Sequence, residues 1–174
     1  MGYTTDFTGE FLLNKPLDEE TAALLNGLAT TRRMKRDIVK LAEMLEITPA
    51  EALEKYKAEG QLYYNPDSTQ HGQEQDISIV EYNYPPQAQP GLWLQWQYNP
   101  NGEYGDKPSI SWDGGEKFYY YVEWLKYIIK MILEPKGYTL NGEVTWVGED
   151  SSDHGKLIVK DNQVSTKTGK IVYE

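Results

Sequence analysis

The sequence predicts an α+β fold: a ferredoxin-like antiparallel sheet with helices on one face, a helical-hairpin insertion and a C-terminal β extension. Three observations predict it. Gly114 to Pro135, GGEKFYYYVEWLKYIIKMILEP, is the longest apolar run and carries helical spacing. Stretches of period-two alternation lie on both sides of it and need a helix to bury against. The order of elements is strand, helix, helical hairpin, strands, helix, strands. With the hairpin set aside, this approximates β-α-β-β-α-β.

Taken in order, Tyr3 to Leu13 alternates as a strand and ends at Asn14-Lys15-Pro16. Asp18 is an N-cap for a helix that buries Ala22, Leu25, Leu28 and Ala29. Ile38 to Glu46 and Pro49 to Glu59 form the hairpin, an insertion over 37–60. Thr48-Pro49-Ala50-Glu51 between its helices reads as a capping box with proline at the first helical position. The hairpin resembles a helix-turn-helix, but its second helix presents Glu51, Glu54, Lys55, Lys57 and Glu59, a poor surface for a DNA groove. Leu62-Tyr63-Tyr64 forms a short strand, 65–75 a polar loop and Ile77 to Tyr82 a strand. Leu92 to Tyr98 and Ser109 to Trp112 form a hairpin about the turn Asn99-Pro100-Asn101-Gly102. The long helix follows. Tyr138 to Val147 is a strand interrupted near Asn141-Gly142, Lys156 to Lys160 returns, and a short strand lies near Val164. Residues 166–174 read as a loose tail or, through Ile171 and Val172, as an added edge strand.

A chain of 174 residues is read as a single domain spanning 1–174, large enough to bury a core. Its net charge of −10 argues against direct nucleic-acid binding, which needs a basic face, and favours a basic partner. Residues 61–106 hold six carboxylates and no lysine or arginine. There is no cysteine, hence no disulfide, thiolate nucleophile or cysteine metal site. No apolar run has the length of a membrane span, and the N-terminus lacks the marks of a signal peptide; no membrane is expected, and the compartment is read as the cytoplasm. His71 and His154 are too far apart for a zinc motif, and Glu149, Asp150 and Asp153 lack EF-hand spacing. Neither a phosphate-binding glycine loop nor a GxSxG motif is present. No catalytic residue, metal ligand or cofactor follows.

Three groups of side chains stand out as binding candidates. On the long helix, Phe118, Tyr121, Val122, Leu125, Ile128, Ile129 and Ile132 form one face, and Tyr120, Trp124, Tyr127 and Met131 form a second stripe. The stripe is either a further layer of core or a partner interface. Thr31 to Arg36, TRRMKR, contains Arg32, Arg33 and Arg36. It reads either as a solvated helix end or as a phosphate or carboxylate site. The stiff loop with Tyr82, Asn83, Tyr84, Gln89, Trp93, Gln95 and Trp96 combines flat rings with amides, as ligand pockets and ordinary packing both do.

The stretches FTGEFLLNKPLDEET, TRRMKRD, YNYPPQAQPGLWLQW, GGEKFYYYVEWLKYII and KGYTLNGEVTWVGED resemble a family of small uncharacterised proteins encoded by bacteriophages and prophages. The resemblance covers Thr4 to about Val164. It implies a setting, the bacterial host cell, and no catalytic residues. The first expectation is a non-enzymatic accessory protein that binds and modulates a host protein, for example as an acidic inhibitor of a nucleic-acid-binding defence enzyme. The alternatives are a small-ligand or nucleotide binder using the aromatic-amide loop with the arginines, enzymatic or not, and a self-associating structural protein, in the simplest case a homodimer.

Overall fold

A computed structural model describes residues 2–56, 73 and 75–174. The expected strand at 62–64, almost all of the 65–75 loop, the last residues of the second hairpin helix and His71 lie outside the described residues. The chain is α+β, as its pattern predicts. It divides into two compact units, one formed by residues 1–19 and 95–174, the other by residues 20–94.

The first unit is built on a six-stranded sheet. Its strands are β1 (Thr5–Leu13), β4 (Trp96–Asn99), β5 (Ser109–Trp112), β6 (Leu140–Gly148), β7 (His154–Lys160) and β8 (Gln163–Thr168). The order is β4-β5-β1-β6-β7-β8, with every pair antiparallel. β1 thus lies between β5 and β6, and β7 and β8 form the expected C-terminal extension. The expected break at Asn141-Gly142 does not occur. β6 pairs with β1 over nine consecutive positions, Gly9 opposite Val144 and Phe11 opposite Gly142. Gly9 (φ 114°) and Gly142 (φ 149°) let the two backbones approach. A Cβ at Gly142 would lie 2.7 Å from the carbonyl oxygen of Glu10, and one at Gly9 2.7 Å from that of Glu143. The glycine that reads as a turn signal is a close-packing device inside a strand.

β8 takes in residues 166–168, so the segment read as a loose tail begins as strand. It is joined to β7 by the two-residue turn Asp161-Asn162, both with positive φ (48° and 67°), the geometry that suits the twist of a hairpin. β4 is shorter than expected and starts only at Trp96.

One sheet face carries an aromatic core. Phe7 is its hub, with ring centroids 4.9 Å from Tyr121, 5.4 Å from Trp96, 5.5 Å from Trp112 and 5.8 Å from Phe118. These edge-on and tilted geometries are the favoured ones for aromatic pairs. The helix above, α4, spans Tyr121–Ile128 and so starts five residues later than its periodicity suggests. Phe118 is buried in the core, and Lys117 and Tyr120 on either side of it adopt left-handed backbone, each with φ 58°. Gln95 Nε2 donates to Glu116 O (2.8 Å), and Trp112 Nε1 to Gly115 O (3.2 Å). These bonds and the burial of Phe118 hold 115–120 as an irregular turn. Beyond α4 the chain continues as one π turn, Ile129–Leu133, then as a 3₁₀ turn, Glu134–Lys136. The wider turn shifts the helical faces, so Leu133, on neither predicted face, is fully buried.

The second unit contains most of α1 (Glu19–Ala29), with β2 (Lys35–Arg36), α2 (Ile38–Met44), α3 (Pro49–Tyr56) and β3 (Ile79–Glu81). The capping box forms as read: Glu51 N donates to Thr48 Oγ1 (3.1 Å), and Thr48 N to Glu51 Oε2 (3.3 Å). Asp37 caps α2, its Oδ1 accepting from Val39 N (2.9 Å) and Lys40 N (3.2 Å). β2 and β3 form a two-stranded ribbon.

Gly142→Ala forces a side chain into a backbone contact at a positive φ. Chemical denaturation of this variant is expected to show a loss of about 1–3 kcal/mol relative to the wild-type chain. An unchanged midpoint would refute the close-approach role.

Candidate functional site

The arginine cluster and the aromatic-amide loop, far apart in sequence, meet in the second unit. The segment carrying the arginines is extended rather than the end of a helix, because α1 stops at Ala29. Arg33 N donates to Leu92 O (2.8 Å), Lys35 N to Tyr84 O (3.0 Å) and Asp37 N to Ser78 O (2.7 Å). These backbone bonds zip the segment to the loop.

The reading of Arg33 and Arg36 as solvated charges is corrected: both are buried. Arg33 Nε donates to Gln89 Oε1 (3.0 Å), and its Nη1 to Thr31 Oγ1 (3.1 Å). Arg36 Nη1 donates to Asp76 Oδ2 (2.8 Å) and Ser78 Oγ (2.7 Å). Arg32 is half-buried, its guanidinium 4.2 Å from the Tyr82 ring centroid and 5.8 Å from that of Trp93. It also donates from Nε to Tyr82 O (3.2 Å) and from Nη2 to Asn83 Oδ1 (3.2 Å). Tyr84 is exposed, Trp93 half-buried and Gln89 buried; the Tyr84-Pro85 bond is trans. The guanidiniums thus serve as internal struts, each holding a stretch of loop by hydrogen bonds or stacking.

Burial pushes the Asp76 carboxyl up. The Ser78 hydroxyl, the Arg36 guanidinium and the Ser78 N–H outweigh it and hold the group below its ordinary value. Asp76, Ser78 and Thr31 do not stand out in the sequence. The available signal was the juxtaposition of the one basic cluster with the one acid-only stretch.

In the first unit the second stripe of the long helix divides. Trp124 and Tyr127 are buried and stack edge-on at 5.4 Å, and Met131 is half-buried. An exposed interface formed by the whole stripe is therefore corrected to core at its middle. Trp124 Nε1 has no acceptor among the described residues. Tyr120 departs from the stripe because it precedes the helix, and it is exposed.

Tyr119, the chain neighbour of Tyr120, begins a tyrosine and carboxylate surface. Tyr119 is also exposed, and its hydroxyl accepts from Tyr3 N (2.9 Å). Tyr3 Oη donates to Asp153 Oδ2 (2.8 Å) and accepts from Asp150 N (3.1 Å). Glu149 Oε1 accepts from Thr4 N, and Trp146 Nε1 donates to Asp153 Oδ1 (2.9 Å). Ser152 binds Asp150 through backbone and side chain and holds that carboxyl below its ordinary value. The Tyr121 hydroxyl is pushed up, first by burial, then by the charges of Asp153 and Glu123 and by Tyr3. Asp150 and Asp153 therefore bond to Tyr3 and Glu149 to its neighbour Thr4, while Tyr119 adjoins Tyr3 through its hydroxyl. Among the described residues no three histidine, aspartate or glutamate side chains are placed to hold a metal ion, and no helix is long and apolar enough to cross a membrane.

Comparisons of the chain with protein-family models, with curated proteins and with solved structures find no match.

Removing the Arg36 guanidinium strands the Asp76 carboxylate. Arg36→Ala is expected to cost about 3 kcal/mol in chemical denaturation. Because the folded pKa of Asp76 is depressed, its contribution is complete above the unfolded value of about 4 and is lost as pH falls through the folded value. Asp76→Asn should thus flatten the acid limb of the stability profile. An acid limb as steep as that of the wild type would show that Asp76 does not carry it.

Proposed function

We propose that this chain is a non-enzymatic phage accessory protein that binds and modulates a host protein in the bacterial cell. Its binding surface is the tyrosine and carboxylate face of the first unit. The observation that carries this reading is the turn before α4. There two non-glycine residues, Lys117 and Tyr120, hold positive φ while Tyr119 and Tyr120 are left exposed, and the Tyr119 hydroxyl accepts from the N–H of Tyr3, whose own hydroxyl donates to Asp153. A bulky residue in left-handed backbone costs free energy and persists where the surroundings over-determine it, often at binding sites. Tyrosine supplies wide contact area at low entropic cost, and rings beside carboxylates suit lysine- and arginine-rich surfaces.

The net charge of −10 extends the same complementarity over longer range. A basic host protein, such as a nucleic-acid-binding defence enzyme, would meet carboxylates where it expects phosphates. The small-ligand alternative receives less support, because Arg32, Arg33 and Arg36 direct donors to protein acceptors.

Tyr120→Gly separates the two roles of the turn. Glycine accepts φ 58° without strain, so the variant should unfold at higher denaturant, by about 1 kcal/mol. Its capture of host proteins in a low-salt pull-down should fall, and wild-type capture should weaken as salt rises. Equal capture by both chains, or capture insensitive to salt, would remove the proposal.

A further inference from the structure

β8 is the edge of the six-stranded sheet, and five of its six residues are exposed. Among the described residues it pairs with β7 alone. It contains no proline, and no register shift marks its pairing with β7. Such an edge is a template for another strand. Beyond it, Ile171, Val172 and Tyr173 are 60%, 75% and 90% exposed. These are two β-branched residues and an aromatic, the residue types that sheets favour.

The backbone fixes what this edge offers. Gly169 N donates to His154 O (2.8 Å), so odd-numbered residues bond towards β7 and even-numbered ones direct their N–H and C=O groups to the open side. On the sheet face away from the aromatic core, a shallow trough of about 410 Å³ crosses β6, β7 and β8. Register places Thr145, Lys156 and Lys167 along one wall and Val147 and His154 along the other. The second wall ends at Gly169, which has no side chain and lies beneath the His154 ring.

We propose that a second copy of this chain pairs with this edge, residues 168–174 of one copy running antiparallel to 168–174 of the other about a two-fold axis through Ile171. A two-fold axis between antiparallel neighbours lies normal to the sheet, so residues of the same parity face each other. In this register Ile171 meets its own copy. Tyr173 of the second copy falls opposite Gly169 and extends the wall formed by Val147 and His154. Lys170 faces Val172, and Glu174 faces Thr168. Sliding the strands so that Lys170 met Lys170 would oppose like charges. Sliding them the other way would shorten the overlap and leave Gly169 uncovered. The proposal is independent of the host-protein surface, which involves other residues.

The absence of cysteine makes the register directly testable. Across the axis, Ile171 forms a non-hydrogen-bonded pair, with Cα atoms about 4.5 Å apart. That lies inside the range of roughly 4.4–6.8 Å that a disulfide spans. Two Val172 residues would lie roughly 8 Å apart, outside it. Under mild oxidation Ile171→Cys should give covalent dimer at least tenfold faster than Val172→Cys. In sedimentation the wild-type mass should rise with concentration from 20.0 kDa towards twice that value. Val172→Pro, which removes an N–H directed to the open edge from an exposed residue, should stay monomeric. A wild-type chain that remains monomeric at the highest soluble concentration overturns the proposal. So does cross-linking at 172 as fast as at 171, or a Val172→Pro chain that associates like the wild type.

Discussion

The burial of Phe7 against four aromatic rings is the contact on which the first unit depends. Phe7 stands on β1, the strand that joins the two halves of the sheet. Its partners come from β4, β5, the turn before α4, and α4 itself. Each large ring buried here contributes on the order of 2–3 kcal/mol. Burial of Phe118, together with the bonds from Gln95 and Trp112 to the turn, offsets the left-handed backbone at Lys117 and Tyr120. Phe118 enters the core, the chain on either side takes up φ 58°, and the helix begins only at Tyr121. Trp96 Nε1 then donates to Tyr121 O (2.9 Å), fixing the first helical residue to the sheet. The exposure of Tyr119 and Tyr120 is thus a consequence of core packing before it is a functional feature.

In the second unit, which has an apolar core about Leu25, Leu28, Leu41 and Leu94, the extended segment and the proline-rich loop are joined by a different kind of force. Three arginines within five residues bring their own polar partners with them, and two are buried. A buried guanidinium must be satisfied, and its several donors in a fixed geometry can gather distant segments. Here they collect Thr31, Gln89, Asp76 and Ser78, while Arg32 stacks on Tyr82 and binds Asn83. The stiff proline-rich loop is thereby fixed by charge-assisted bonds that add to the backbone bonds of Arg33 and Lys35. Such bonds are directional, which suits a segment that lacks regular structure of its own.

The two surfaces proposed for recognition differ in the same way. The tyrosine and carboxylate face offers charge and flat rings, which reward a basic partner and are screened by salt. The β8 edge offers unpaired backbone groups and exposed apolar side chains, which reward a second strand of matching parity and depend little on charge. Their residues do not overlap, so occupation of one leaves the side chains of the other in place.

The α+β class, the strand at 5–13, the helical hairpin with its capping box, and the apolar face of α4 were determined by the sequence alone, because each rests on a local period or a local hydrogen bond. Leu125, Ile128, Ile129 and Ile132 are buried as their spacing requires. Tertiary structure decided what spacing does not encode. Asn141-Gly142 carries a turn signal, yet β1 needs a residue without a side chain there. Glu116 to Tyr120 carries helical spacing, yet the ring of Phe118 is buried in the core. The arginines of TRRMKR have the composition of a solvated face, yet their partners lie some forty to sixty residues away, where no periodicity reaches. Of the second stripe, only Tyr120 is exposed as an interface requires. The buried rings of Trp124 and Tyr127 follow from a long-range constraint, the need to cover large apolar surfaces, rather than from anything in their spacing.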